Sequence, residues 1–314
     1  MKILLINQPH PVLSELLVAA GMEVHEAFTT PLAELYALID QYQGVVLRSR
    51  IQIDRTFIDK ASQLKFIARE GVGLEHIDVE YAKEKGIEVI ISPEGSRDTV
   101  GEHAMGLLLM LMNRLSIADR EIRAGAWNRE PNRGTEIMGK TVGLIGYGNM
   151  GQSMAKRLSG FGCAAVLAYD KYRKNYGDQY AKAVDLETLQ AQADIVSLHI
   201  PYEKDNHHFV DANFLAGFSK PIYMVNTARG LVLNTADLVV GLQSGRVLGA
   251  GLDVLEYEEG SFDALGIEEW PAPFQYLIES DRVVLSPHIA GWSFESKRKH
   301  GEVLAQKIIR QFGS

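Results

Sequence analysis

Short apolar runs rich in β-branched residues alternate along the chain with stretches whose apolar positions recur every three or four residues. Residues 3–6, 23–27, 45–47, 66–68 and 88–91 read as strands, with helices such as 12–20 and 32–39 between them. Alternation of this kind predicts a parallel sheet covered on both faces. Residues 99–115 then carry too many apolar side chains for a surface helix. With Asp98 as N-cap, this helix is expected to lie buried between two bodies. The polar stretch 128–139 reads as a connector. A second alternation comes after it, with strands at 142–145, 165–168, 195–198, 223–225, 247–251 and 283–285. Six strands separated by helices fit a second doubly wound sheet. The last helix, 293–312, comes after the sixth strand, and its return to the first unit would make that unit discontinuous.

Composition narrows the function classes. The 314 residues are 46% hydrophobic and 23% charged, the mix of a folded globular protein, and their number suggests two domains. A formal charge of −8 argues against a nucleic-acid footprint, which needs a clustered basic excess. Lys171, Arg173 and Lys174 form too small a cluster to change that, and Lys297, Arg298 and Lys299 read as one solvated helix face. The single cysteine, Cys163, cannot staple the fold and reads as a small buried hydrophobe. With neither a signal-peptide pattern nor a membrane-length apolar run, a soluble cytoplasmic protein is expected. No metal-ligand pattern stands out.

The first sharp motif is Gly146, Tyr147, Gly148, Asn149, Met150 and Gly151, a G-x-G-x-x-G run between a strand and a helix. The first Gly permits the tight turn, the second lets backbone approach a pyrophosphate, and the third lets helix and strand pack closely. The helix N-terminus then faces the phosphates. An acid belongs about 20 residues on, at the end of the next strand. Asp170 stands 19 residues beyond Gly151. Its carboxylate would accept the ribose hydroxyls and repel a 2′-phosphate, which favours NAD over NADP, although Lys171 and Arg173 are cations that could meet such a phosphate.

Three further segments end strands of the second sheet, where open α/β sheets bind ligands. They are residues 226–230 with Arg229, 251–258 with Asp253, Glu256 and Glu258, and 286–291 with His288. Reducing a 2-keto acid needs a cation for the carboxylate and carbonyl oxygen. It also needs an acid to protonate the forming alkoxide. Arg suits the first through its planar fork. His suits the second because its reference pKa is about 6.5, and a nearby carboxylate would orient and charge it.

With these motifs the chain resembles the D-isomer-specific 2-hydroxyacid dehydrogenases over nearly its whole length. The resemblance rests on Val46, Leu47, Arg48 and Ser49; on Arg69, Gly71, Val72, Gly73, Ile77 and Asp78; and on Val100, Glu102 and His103. It is completed by the 146–151 turn, Leu198, His199 and Pro201, the 226–230 and 253–258 segments, and Ser286, Pro287 and His288. It implies a Rossmann NAD-binding domain, 99–290, inserted in a flavodoxin-like substrate domain formed by 1–98 and 291–314. It implies His288 as proton donor and acceptor, Glu258 as its partner, and Arg229 as the group on the keto acid. Backbone amides at Val72 and Gly73 would hold the substrate carboxylate in a cleft between the domains. Asp253 would lie close to the nicotinamide, and His199, Pro201 and Thr227 beside the cofactor. A homodimer is implied too, with the 99–115 helix and the segment after it as candidates for the contact, although packing inside one chain explains an apolar helix equally well.

The chain departs from the family in places. Glu259 comes after Glu258 where the family usually has Pro, which leaves Glu256 and Glu259 as competing carboxylates. The stretch from Glu258 to His288 is long and holds Trp270, Phe274 and Tyr276, open to a pocket wall, a dimer contact or a surface cluster. Trp292 could narrow the substrate pocket. With the sequence ending at Ser314, the regulatory domain appended to some phosphoglycerate enzymes is expected to be missing. A phosphorylated substrate would need cations, for which Arg48, Arg50 and Arg97 are candidates, so phosphoglycerate and hydroxypyruvate or glyoxylate stay rivals. The alternative from another class is a non-enzymatic NAD-sensing interaction protein of the corepressor kind.

Overall fold

The computed structural model describes residues 1–258, 265 and 269–313. In chain order they form β1 (Lys2–Leu5), α1 (Pro11–Ala19), β2 (Glu23–Glu26), α2 (Leu32–Leu38), β3 (Gly44–Leu47), α3 (Arg55–Lys60), β4 (Phe66–Arg69), α4 (Val79–Glu84), β5 (Glu88–Ile91), α5 (Pro93–Met112) and α6 (Leu115–Arg123). After a connector come β6 (Thr141–Ile145), α7 (Asn149–Leu158), β7 (Ala165–Tyr169), β8 (Lys182–Ala183), α8 (Leu186–Gln192), β9 (Ile195–Leu198), α9 (Ala212–Ala216), β10 (Ile222–Asn226), α10 (Thr235–Ser244), β11 (Val247–Leu252), α11 (Ala272–Glu279), β12 (Val283–Leu285) and α12 (Phe294–Phe312). The chain divides into two compact units, Met1–Arg97 with Trp292–Ser314, and Asp98–Gly291.

The first unit has an all-parallel sheet in the order β2-β1-β3-β4-β5, the flavodoxin-like arrangement. Successive strand residues point to opposite faces, and both faces are covered. Leu4, Val45, Leu47 and Ile67 pack with Leu35, Ile39 and Phe57 on one side. Ile3, Leu5, Val46, Phe66 and Ile90 pack on the other with Leu13 and Leu17 of α1 and Leu304, Ala305 and Ile308 of α12. A capping box between Ser293 and Ser296 starts α12. The basic run on that helix is a solvated face, where Arg298 pairs with Glu302 one turn on.

The second unit has an all-parallel sheet in the order β12-β11-β10-β9-β6-β7-β8. This is the dinucleotide-binding order, with its reversal between β6 and β9. Seven strands stand where six were expected, because the two-residue edge strand β8 is too short to show a period. The long helix starts at Pro93, earlier than the expected 99. Proline is tolerated in a first turn, whose N–H groups have no helical partner, so Asp98 lies inside the helix instead of capping it. Its apolar face is core of the second unit, where Ala104, Leu107, Leu108 and Leu111 join Val142, Leu144 and Val225.

A histidine with buried ring nitrogens in the second unit, His199, and the buried His300 in the first make stability depend on pH. Burial lowers His199 to about 4. His300 is likewise held to about 4, by burial and then by Arg69. The folded state therefore favours the neutral rings, while unfolded chain takes up protons below about pH 6.5. This contribution to stability is complete above that pH and is lost as pH falls towards 4, at up to about 1.4 kcal/mol per pH unit for each ring. Urea-unfolding midpoints should fall progressively at pH 7, 6 and 5. A midpoint that stays level between pH 6.5 and 4.5 would contradict the burial of these rings.

Candidate active site

The glycine-rich turn sits where the sheet of the second unit reverses. Gly146 turns at φ 92°, and a Cβ there would fall 2.6 Å from the His199 carbonyl oxygen. A Cβ on Gly151 would lie 2.2 Å from the Gly146 carbonyl oxygen, whereas one on Gly148 would meet nothing within 4 Å. Two of the glycines are thus required by packing, and the middle one faces open space. Helix α7 begins at Asn149 with Gly148 as N-cap and no capping side chain. The amides of its first turn, from Asn149, Met150 and Gly151, therefore remain for an anion.

Tyr147 contributes only backbone to this turn. Its ring is buried, its hydroxyl donates to Asp178 Oδ1 (2.8 Å), and its N–H donates to Asp170 Oδ2 (2.9 Å). The other oxygen of Asp170 accepts the amides of Tyr172 and Arg173, each at 3.0 Å. Of the two nearby cations, Arg173 reaches the turn itself, donating to the Tyr147 carbonyl at 3.0 Å. Lys171 instead lies over the Tyr172 ring.

At the ends of the next two strands, both ring nitrogens of His199 and the Thr227 hydroxyl are buried without a hydrogen-bond partner. Unsatisfied buried groups are costly, and polar atoms of a bound dinucleotide would satisfy them. Pro201 is exposed just beyond, its carbonyl accepting from Asn206 (3.1 Å). An uncapped helix start, an open glycine and two orphaned polar side chains at the reversal of the sheet fit a bound dinucleotide.

In the same unit, two loops bring a histidine and a carboxylate together. His288 Nδ1 stands 2.6 Å from Glu258 Oε2, so the ring donates to the carboxylate. The second oxygen, Glu258 Oε1, accepts the Leu255 amide at 2.5 Å. Glu256 points elsewhere: its Oε2 accepts the Thr235 amide (2.6 Å) at the start of α10. That geometry selects Glu258 over Glu256, and Glu259 lies outside the described residues.

His288 has φ 53°, a left-handed conformation that costs a non-glycine residue about 1–2 kcal/mol. Asp253 holds it there. Its carbonyl accepts the His288 amide (2.7 Å), and its carboxylate accepts Ile289 N–H (2.9 Å), Ala290 N–H (2.8 Å) and the Ser286 hydroxyl (2.6 Å). His103 Nε2 completes the cluster, 2.8 Å from Ser286 Oγ and 3.2 Å from Asp253 Oδ1. Burial raises the Asp253 carboxyl, but the hydrogen bonds from His103, Ser286, Ala290 and Ile289 outweigh it and hold it below its ordinary value. Expected beside the nicotinamide, Asp253 spends its side chain on anchoring the His288 loop.

Arg229 is half-buried on the loop after β10, with Nη1 donating to the Ala228 carbonyl (2.7 Å). Asn226 shapes that loop, accepting Ala228 N–H (3.0 Å) and donating to the Arg229 carbonyl (3.1 Å). A Cβ on Gly230 would fall 2.0 Å from Leu255, so the Arg229 loop lies directly against the loop that carries Glu258. Asn226, His103 and Ser286 had no role assigned from sequence, although all three fall within motifs read there.

In the first unit, the Arg48 guanidinium stacks 4.0 Å from the ring centroid of Trp292, which settles that side chain as a partner of Arg48. Arg50 is not available to a ligand, since it donates to the carbonyls of Ile6 (3.0 Å), Thr30 (2.9 Å) and Ala27 (2.8 Å). Val72 and Gly73 come after β4 in a turn that begins at Gly71. The aromatics of the long stretch pack locally: Phe274 is buried against Trp270 and Tyr257, and the Tyr276 hydroxyl accepts from Arg282.

Residues 105–290 match the family model described as D-isomer specific 2-hydroxyacid dehydrogenase, NAD binding domain. The chain belongs to the D-isomer-specific 2-hydroxyacid dehydrogenase family. It is 37% identical to a hydroxypyruvate reductase of Thermotoga maritima over 89% of this chain and 88% of that protein. It is 34% identical to a D-3-phosphoglycerate dehydrogenase of Archaeoglobus fulgidus, covering 92% of this chain and 53% of that one. The chain thus spans about half the length of that second relative. A D-lactate dehydrogenase from Aquifex aeolicus, solved with NAD and lactic acid, superposes with TM-score 0.80 at 26% identity over 99% of this chain and 96% of the other. As a member of this family the chain is an NAD-dependent oxidoreductase. Among the described residues, no helix is long and apolar enough to cross a membrane.

Because Asp253 unites three loop donors and a histidine, its replacement tests this construction. In Asp253→Asn one oxygen becomes a donor facing N–H groups. That should cost about 3 kcal/mol of unfolding free energy, by the penalty for unpaired buried groups. A urea-unfolding curve matching the wild type would show that the latch contributes nothing.

Proposed function

We propose that this dehydrogenase interconverts a small D-2-hydroxy acid and its 2-keto acid, of the hydroxypyruvate or glyoxylate kind. The observation that carries this is the 2.6 Å pair of His288 and Glu258 on a loop held in a strained conformation beside a dinucleotide cradle. In the reductive direction, a nicotinamide held by the residues of that cradle would supply the hydride for C2. Arg229 grips the keto oxygen and carboxylate with its planar fork. His288 passes a proton from Nε2 to the oxygen as negative charge builds there, while Glu258 on Nδ1 fixes the tautomer and stabilises the charged ring. The turn at Val72 and Gly73 offers backbone amides for the carboxylate. Residues 146–151, Asp170, His199, Pro201 and Thr227 hold the cofactor, and Asp253 supports them through the His288 loop.

An unphosphorylated substrate is favoured because two of the three candidate cations are engaged elsewhere. Arg50 is saturated by carbonyls, and Arg48 faces Trp292 with the buried Glu70 carboxylate close by. Among the family, a hydroxypyruvate reductase matches over most of its length. An intact proton-transfer pair also speaks for an enzyme over a sensor of the corepressor kind. The lone thiol of Cys163 supports a reducing, cytoplasmic setting.

Mixing protein and NADH with a panel of 2-keto acids, phosphohydroxypyruvate included, tests the assignment through the absorbance of NADH. Hydroxypyruvate or glyoxylate should be reduced fastest, and a preference for phosphohydroxypyruvate would overturn the substrate choice. In His288→Gln turnover should drop at least about 100-fold, the usual worth of a general acid, with NADH affinity within a few-fold of wild type. Unchanged turnover would remove His288 from the mechanism.

We also propose a homodimer formed through the second unit. Leu115 and Ile122 lie seven residues apart on one face of α6, each 51% exposed, and Trp127 beyond them is 78% exposed. Large apolar side chains left in water on one element mark an association surface. Sedimentation should show a dimer for wild type and a monomer for a variant carrying both Leu115→Glu and Ile122→Glu; a monomeric wild type would rule the contact out.

A further inference from the structure

We propose that His300 is a positioning residue for the substrate-binding turn: acting through Ser92, it fixes the backbone at residues 71–73. The inference rests on the proposal that this turn presents its amides to the substrate carboxylate. Ser92 stands just past β5 and is fully buried. It holds Gly71 from both sides, its N–H donating to the Gly71 carbonyl (3.0 Å) and its Oγ accepting the Gly71 N–H (3.1 Å). Gly71 itself turns at φ 139°. An amide can only donate, so the hydroxyl proton of Ser92 is directed to another acceptor. His300 Nδ1 stands 2.7 Å away, nearer than the Arg69 carbonyl at 3.5 Å. Nδ1 therefore accepts, and the ring proton sits on Nε2.

The relay runs Gly71 N–H to Ser92 O–H to His300 Nδ1, and its far end is rigid. His300 is 8% exposed on α12, one turn before Leu304 and Ala305 and two before Ile308, which are core residues of the first unit. An imidazole buried there costs free energy that an aliphatic side chain would not, unless its hydrogen bond does something packing cannot. What it does here is set the Ser92 rotamer, and with it the direction of the Gly71 amide that opens the turn.

Three variants test this: Ser92→Ala, His300→Leu, and His300→Asn, whose Oδ1 can occupy the place of Nδ1. Two quantities are read on each full-length protein, amide hydrogen exchange of the peptide spanning residues 70–74 and the KM and kcat for the reduced keto acid. Ser92→Ala and His300→Leu should speed exchange and raise KM about tenfold, the loss of one buried hydrogen bond, with kcat within about twofold and NADH affinity unchanged. His300→Asn should stay close to wild type in both. If His300→Leu does not fold, Ser92→Ala carries the test alone. Unchanged exchange in Ser92→Ala overturns the proposal, as does faster exchange without a change in KM, or an Asn variant as impaired as Leu. Wild-type protein that reduces no keto acid sinks the functional assignment instead, and the exchange data still decide whether His300 holds the turn.

Discussion

Burying a carboxylate is tolerable only if donors replace the water it loses, and the free energy of burial then becomes a demand that those donors stay in place. Asp253, 1% exposed, imposes that demand on the second unit. Its donors come from Ser286, Ile289, Ala290 and His103. Three of these belong to the loop after β12 and one to α5, so one side chain ties a strand end, the next loop and a helix together. The loop can then hold His288 at φ 53°, which local propensity opposes. With the backbone of His288 fixed, its ring meets Glu258, itself held by the Leu255 amide.

The same economy governs the other loops. Each functional segment leaves the carboxyl end of a strand, and a single buried polar side chain at or near that end shapes its path. Asn226 folds back on the Arg229 loop, Asp253 on the His288 loop, and Ser92 on the turn at Gly71. A parallel sheet supplies rigid, aligned strand ends, and these side chains turn that alignment into loop geometry. Precision at the site comes from short-range hydrogen bonds on a scaffold whose stability comes from apolar packing on both faces of each sheet.

This division explains what could be read from sequence. The strands were legible because parallel strands buried on both sides are continuous apolar runs, and β8 was missed because two edge residues carry no such run. The glycine motif and Asp170 were legible because their spacing is local. The anchoring by His103, Ser286 and Asp253 joins residues up to 183 apart, and no spacing rule reports it. The resemblance points to Glu258, but Glu256 stays a competitor in the sequence because two residues in an irregular loop have no fixed facing. Only the fold shows one capping α10 and the other meeting His288. Arg50 looked like a ligand cation from its place beside a strand end, yet the three carbonyls it satisfies come from elements separated in sequence.

Among the nine histidines, the proposed proton donor is set apart by its surroundings. A donor that works near neutral pH must be able to carry charge and must sit at a strand end facing the ligand. His199 and His300 sit at useful positions but burial holds both near 4, so they are neutral and serve as polar, uncharged rings. His103 meets a carboxylate already engaged by three other donors, and it anchors the His288 loop. His208 is 3.7 Å from Glu256, beyond a good hydrogen bond, and that carboxylate is committed to a helix cap. His25 has a close partner in Glu23, but both lie within β2 and not past its carboxyl end. His288 alone among these residues combines a strand-end loop, partial exposure and a carboxylate oxygen directed at one ring nitrogen.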